Sequence, residues 1–543
     1  MTNRDHNNTN GNHQDQDSLD NQDINNPSID PDQEEMVVVP GVSIPNAPPP
    51  VDLSDDGKFR NGRLAGLNLN QAIWVLAWPV VTESFLNSFV GLVDTALSAG
   101  LPEGEAATDA IGGASYIMWL IGLIIMALGV GATALISRSV GKGRLGVANS
   151  VLGQTFTIAG ATGIVVGIMI WLIVPSIATA LNMSPLATEY FESYMSIIAL
   201  GVPAASILFG MIACSRGAGD SMSPLKAMIA RNIVNIVVSW GLSGITIFGL
   251  TSPLGVDLGI VGIAVGTVAG DIVGAVYITT LARSGRWSIK LKLIRMKPHL
   301  ITVSRLIKLG IPNFFETFGL WIGNFVIILF VGFLTVQLNS DGLLGAHIIG
   351  IRIEAFSFMP GFGMGIAAAT LAGQYLGMNR PDLAKRAVFR CTIIASVIMG
   401  TIGVAFITIP KQITALLSDQ PTHAEIVPQL LIVCGIVQVP FAISIVFRSA
   451  MRGAGDVKVV MALTWFATYA LRLPIAYLLS GVDIPIPESM GGGFVENPRW
   501  LVDTLGITPG LTALWIGLCS EMALRALLFG ARFFQGGWLK AKV

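Results

Sequence analysis

From Gln71 onward the chain alternates long apolar runs with short polar breaks. Crossing about 30 Å of hydrocarbon as a helix takes roughly 20 apolar residues, and a helix can do so because it satisfies its own backbone polar groups. Twelve runs meet that length: 71–99, 110–137, 149–180, 187–214, 222–250, 257–282, 305–335, 343–373, 386–416, 425–450, 458–481 and 506–533. The pattern predicts an all-α polytopic membrane protein with twelve transmembrane helices. Lys and Arg crowd the breaks after even-numbered runs, among them Arg138, Lys142, Arg144, Arg216, Lys226, Arg452 and Lys458, whereas the opposite breaks hold Lys411 and Arg499. Basic residues concentrate on the cytoplasmic side, so both termini are expected there, in an inner or plasma cell membrane.

The same pattern divides the chain. Residues 1–66 are rich in Asn, Asp, Gln and Pro, too polar to bury a core or to act as a signal peptide, and are expected to form a disordered cytoplasmic tail. An N-lobe of helices 1–6 spans 67–282, a basic cytoplasmic linker 283–304, and a C-lobe of helices 7–12 spans 305–543. The lobes repeat each other. Arg216-Gly217-Ala218-Gly219-Asp220 returns 236 positions later as Arg452-Gly453-Ala454-Gly455-Asp456, and Gly141-Lys142-Gly143-Arg144 returns at the same offset as Gly377-Met378-Asn379-Arg380. Pro79 to Glu83 is echoed by Pro312 to Glu316, 233 positions on. Six spans per repeat give the copies one orientation, so they are expected to be related by an axis along the membrane normal, with a cavity between them and alternating access as the mechanism.

Composition narrows the classes further. Of 543 residues, 52% are hydrophobic and 12% charged, with mean hydropathy +0.67, which no soluble surface carries. A net charge of -1 offers no basic excess for nucleic acid. The four cysteines, Cys214, Cys391, Cys434 and Cys519, lie far apart in apolar runs and read as inert core thiols. No His and Asp set at metal spacing near an interface points to a membrane enzyme, and no cofactor is expected. The Arg-Gly-Ala-Gly-Asp loops lack the ending and preceding strand of a phosphate loop; their Arg and Asp are expected to clamp helix ends.

The run Gly345-Ala346-His347 through Ile351-Arg352-Ile353-Glu354, Ser357 to Gly363, Ala367 to Thr370, Gly373-Gln374 and Gly377, together with the paired loops, resembles the multidrug and toxic compound extrusion (MATE) transporters. The likeness covers about residues 70–535. It implies a twelve-helix, two-lobe antiporter that exports small amphiphilic, cationic molecules in exchange for Na+ or H+, acting as a monomer among membrane lipids. A flippase for a lipid-linked precursor, or a dedicated metabolite exporter of the same superfamily, is the alternative. Few cations stand in the middle of the spans, which disfavours the flippase.

Buried ionisable groups are costly and need a partner or a task. Asp94 matches the acid of the family's N-lobe proton or cation site, and Asn235 and Thr267 match polar positions around it, so a Na+ held by these three is one expectation. A structurally hydrogen-bonded carboxyl is the other. Where the archaeal branch has an Asp four residues after the Asn, this chain has Ser239. Asp271, one turn beyond Thr267 on the same face, could supply the missing charge. Glu83 and Glu316, each four residues after a proline, are further coupling candidates, with hydrogen bonds to backbone freed by the prolines as the plainer reading. Glu316 also resembles an acidic helix-7 position used for coupling or cationic substrates. Glu354, with Phe314, Phe315, Phe318, Phe356 and Met359, could line a substrate cavity suited to organic cations, although helix packing would also demand these residues. Glu521 and Arg525, four apart, are expected to pair, Arg472 to anchor packing, and His347 to be a hydrogen-bonded core histidine or a proton relay.

Overall fold

A computed structural model describes Leu64 and residues 66–541, apart from 181–182, 247–251, 253–254, 341, 419 and 487–491, and apart from the side chains at 87–92 and 180. The expected tail lies outside the described residues up to position 63; Leu64, assigned to it from sequence, is buried against the C-lobe core. Twelve long helical segments follow the twelve apolar runs. The N-lobe holds α1 (Leu69–Ala99), α2 (Gly104–Gly141), α3 (Leu145–Ala180), α4 (Pro185–Gly217), α5 (Met222–Ser243) and α6 (Gly259–Ser284). The C-lobe holds α7 (Leu300–Gln337), α8 (Leu343–Gly377), α9 (Pro381–Thr408), α10 (Pro421–Ile436 and Gln438–Gly453), α11 (Val457–Ser480) and α12 (Leu511–Gln535).

Local chemistry sets where these helices begin, bend and stop. Asn68 and Gln71 form a reciprocal capping box at the start of α1, satisfying two orphan backbone donors. The expected 222–250 span ends earlier, at Ser243, because Gly244 turns left-handed at φ 76°. The expected 386–416 span breaks at Thr408 before Pro410, and a short helix Pro410–Ala415 follows. The halves of α10 meet at 57°; Pro440 lacks the N–H that would bond the carbonyl of Ile436, which weakens the helix at that point. In α11 the turns Phe466–Arg472 widen to π geometry just before Leu473-Pro474, for the same reason.

The repeat is present in the backbone itself. Gly219 and Gly455 both sit at φ 91°, and each turn closes the same way: Asp220 N–H donates to Ser215 O (3.0 Å) and Asp456 N–H to Met451 O (2.9 Å). These six-to-one bonds are helix stops built on a left-handed glycine. The second repeat pair matches too, with Gly143 at φ 73° and Asn379 at φ 57°. The Asp220 carboxylate accepts from the N–H groups of Met222 and Ser223 at the start of α5, and Asp456 pairs with Arg532 on α12, so the loop acids do clamp helix ends.

The lobes meet chiefly through α1 and α2 against α7 and α8. Their closest approaches lie at the end that carries the Arg-Gly-Ala-Gly-Asp turns. A Cβ on Gly141 would overlap the Gln374 carbonyl, and one on Gly373 would overlap Ser137. There Thr370 Oγ1 donates to Arg216 O (3.1 Å) and Gln374 Nε2 to Gly217 O (3.3 Å). The linker is short, 285–299, and is bound to the N-lobe: Trp287 is buried, and Gln154 Nε2 donates to the carbonyls of Arg295 and Lys297.

Candidate functional site

The site grows from the pairing of α5 with α6. Along α6, Gly262, Gly266, Gly270 and Gly274 recur every four residues and face α5, the small-residue stripe that lets membrane helices approach closely. A Cβ on Gly266 would strike the Ser239 backbone, and one on Gly270 the Arg231 carbonyl. Gly266→Leu is therefore expected to cost about 1–3 kcal/mol or more through overpacking. Gly112→Ala, which meets open space, should leave the thermal midpoint of the purified protein unchanged.

The close, antiparallel approach turns three residues of α5 into rungs. Ser239 Oγ donates to Ile263 O (3.2 Å), Asn235 Nδ2 to Thr267 Oγ1 (3.0 Å), and Arg231 Nε to Asp271 Oδ1 (2.5 Å). Asp94 of α1 comes in beside the middle rung. Thr267 Oγ1 donates to Asp94 Oδ2 (3.1 Å), and Asn235 Nδ2 lies 3.5 Å from Asp94 Oδ1. Tyr194 of α4 borders the same group. Asp94, Asn235, Thr267, Asp271 and Arg231 are all less than one-tenth exposed. Asn235 Oδ1 has no hydrogen-bond partner, so a buried acceptor, a carboxylate and a hydroxyl stand together. That is a donor set of the type hard cations take, and the carboxylate alone can take a proton. Position 327, the repeat partner of Asp94, is the buried Ile327, so the site is not duplicated in the C-lobe.

Other expected site residues go elsewhere. Glu83 and Glu316 are not near Asp94 and do not hold freed backbone. Each pairs with the arginine of its own lobe's turn motif: Arg216 Nη2 lies 2.6 Å from Glu83 Oε2, and Arg452 reaches both oxygens of Glu316, at 2.7 and 3.0 Å. Thr464 Oγ1 donates to Glu316 Oε1 (2.9 Å), and Arg448 stands 3.8 Å away. Glu316 is thus engaged by donors at both oxygens and Glu83 by a guanidinium at one, so the partner of each is an arginine rather than backbone freed by its proline. Asp271 is likewise committed to Arg231 rather than offered to the Asp94 cluster. Sequence reasoning missed Arg231 and Tyr194, and placed Arg452 in a helix clamp without finding its partner Glu316. The available signal for Arg231 was a cation nine residues into an apolar span, deeper than Lys226 and one turn before Asn235.

Phe314, Phe318, Trp321 and Phe325 stack in succession along α7, with centroids 5.7–6.1 Å apart. Trp119 of α2 meets Trp321 from the opposite lobe at 6.3 Å. Phe356 stacks on Phe85 across the lobes at 6.1 Å. Phe315 meets Phe314 edge-on and is off this ladder, and Met359 is buried. Within the C-lobe, Glu354 lies near Arg472, Glu521 pairs with Arg525 at 2.6 Å as expected, and Trp515 Nε1 donates to His347 Nδ1 (3.0 Å). That bond places the proton of a neutral His347 on Nε2.

The fold and site define a multi-pass membrane protein of two similar six-helix lobes with a buried carboxylate, amide and hydroxyl cluster in the N-lobe. The MatE family model matches residues 79–240 and 312–478. A probable multidrug resistance protein NorM from Thermotoga maritima is 25% identical over 473 residues, covering 86% of this chain and 93% of that protein. A MATE crystal structure in a bent conformation superposes with TM-score 0.74 at 18% identity, over 87% of this chain and 97% of the other. The Vibrio cholerae MATE transporter VcmN, also in a bent form, gives 0.73 at 16% identity, over the same shares. The chain belongs to the MatE family.

Proposed function

We propose that this protein is a secondary active antiporter that exports small amphiphilic organic cations in exchange for H+ or Na+. The observation that carries the reading is the buried Asp94–Asn235–Thr267 cluster with its unpartnered acceptor, a group that can bind and release an ion. Two further features support it. The lobes approach most closely at one end, as one state of an alternating-access cycle requires, and the aromatic ladder of α7 borders the interface between lobes, where cation-aromatic attraction would hold a substrate. A curated relative named as a probable multidrug resistance protein agrees in substrate class. In the cell membrane, with both termini cytoplasmic by the basic-residue bias, the closely packed end would be the inner one. The protein would work as a monomer among lipids, without a cofactor.

The test is transport of ethidium and a panel of other organic cations in proteoliposomes, under separately imposed proton and Na+ gradients. Movement driven by one gradient, about an order of magnitude above empty liposomes, is expected. No gradient-driven movement of any panel member would overturn the substrate class.

A further inference from the structure

The N-lobe buries a cation of its own beside the carboxylate site. Arg231 is 7% exposed and stands one helical turn from Asn235 on α5, with its charge close enough to act on Asp94. Its stem packs along the glycine stripe, where a Cβ on Gly270 would lie 3.4 Å from its Cγ and one on Gly274 3.4 Å from its Cβ. Its Nε is bonded to Asp271, while Nη1 is buried without a partner. The charged or titratable groups bearing on Asp94 are Tyr194 from α4, Arg231 from α5 and Asp271 from α6; α2 and α8, which also pack on α1, add none among the described residues.

On the reading that Asp94 carries the coupling ion, we propose that Arg231 makes the N-lobe site select a proton over Na+, by cancelling Asp271 and leaving Asp94 as the single uncompensated carboxylate. Na+ leaves its water only for several oxygen ligands in a field negative enough to repay dehydration. Here the oxygens of Asn235 and Thr267 are neutral, one carboxylate is consumed by the guanidinium, and the spare Nη1 adds positive potential. A proton needs far less: one carboxylate oxygen with which to form an O–H bond. Ser239 fits the same logic, because it bonds to a carbonyl and brings no second charge. Arg231 touches no transported ion in this account; it determines specificity through the charge it cancels.

Removing the guanidinium alone should convert the site. Arg231→Gln leaves Asp94 and Asp271 both uncompensated, and a doubly negative site attracts Na+. Arg231→Gln with Asp271→Asn restores the original net charge. The measurement is thermal unfolding of purified full-length protein titrated with NaCl against choline chloride at constant ionic strength, alongside gradient-driven ethidium transport. Wild type and the double variant are expected to show no Na+-specific shift, and Arg231→Gln a saturable rise in Tm with Na+. A Na+-specific shift or Na+-driven transport in wild type would overturn the proposal, as would a folded Arg231→Gln that ignores Na+. If Arg231→Gln does not fold, Asp271→Asn decides. The freed guanidinium then compensates Asp94, and proton-driven transport should fall by about an order of magnitude and recover in the double variant. Wild-type transport in Asp271→Asn overturns the proposal. Gradient-driven transport retained in Asp94→Asn would instead show that the reading of the site itself has failed.

Discussion

Asp94→Asn is expected to leave a folded protein whose dye transport no longer follows an ion gradient, with a loss of about two orders of magnitude or more. The substitution is nearly isosteric, and the amide can still meet Thr267 and Asn235, which now hold Asp94 at 3.1 and 3.5 Å. Removing a costly buried charge while keeping the hydrogen bonds should leave stability level or slightly higher. What is lost is the ability to alternate between a charged and a neutralised form, because an amide neither takes up a proton near neutral pH nor balances Na+. The paired measurement is thermal unfolding in detergent with gradient-driven ethidium transport in proteoliposomes. Unchanged unfolding with abolished coupling is the expected result. Coupling that survives would move the ion to another carboxylate, with Glu354 the first to examine, since among the described residues no hydrogen bond or ion pair to its side chain is found.

The parts of this arrangement legible in the sequence are those written in periodicity and repetition. Twelve apolar runs gave twelve helical segments because a bilayer imposes length on every span. The two glycine-centred turns repeat at the same φ because Schellman-type stops depend on a few local residues. Asp94, Asn235 and Thr267 meet as the family resemblance implied. The errors share one cause: a partner far away in sequence. Glu83 was read from its proline and Arg216 from its loop, yet they are 133 residues apart and form one pair. Arg231 vanished into the average hydropathy of α5, and its pairing with Asp271 depends on the register between α5 and α6. That register is set by the glycine stripe of α6, which is visible in the sequence only once its neighbour is known. The bend of α10 was not read from the run 425–450, although Pro440 marks where a hydrogen bond must be missing; its 57° angle is decided by tertiary packing.

The largest stability effect is expected at Glu316. This carboxylate is 0% exposed and ties α7 to the end of α10 through Arg452 and to α11 through Thr464. Removing one member of such a pair leaves the other charge buried and uncompensated, a penalty of about 3–5 kcal/mol. Glu316→Ala exposes the worst case, because Arg448 already stands beside Arg452, and two guanidinium groups would then face each other across the vacated space. Arg452→Ala should cost less, since Arg448 can move in to compensate Glu316. Glu83→Ala, in the corresponding N-lobe pair, should also cost less, because it strands one guanidinium, Arg216, where Glu316→Ala strands both Arg452 and Arg448. The ordering Glu316→Ala, then Arg452→Ala, then Glu83→Ala is measurable as thermal midpoints of the purified variants, and Glu316→Gln with Arg452→Gln together should recover part of the loss. Equal midpoints for Glu316→Ala and Glu83→Ala would mean that the C-lobe clamp is relieved by water reaching Arg448 and Arg452. The repeat would then preserve the geometry of the two clamps without making one of them a deeper anchor than the other.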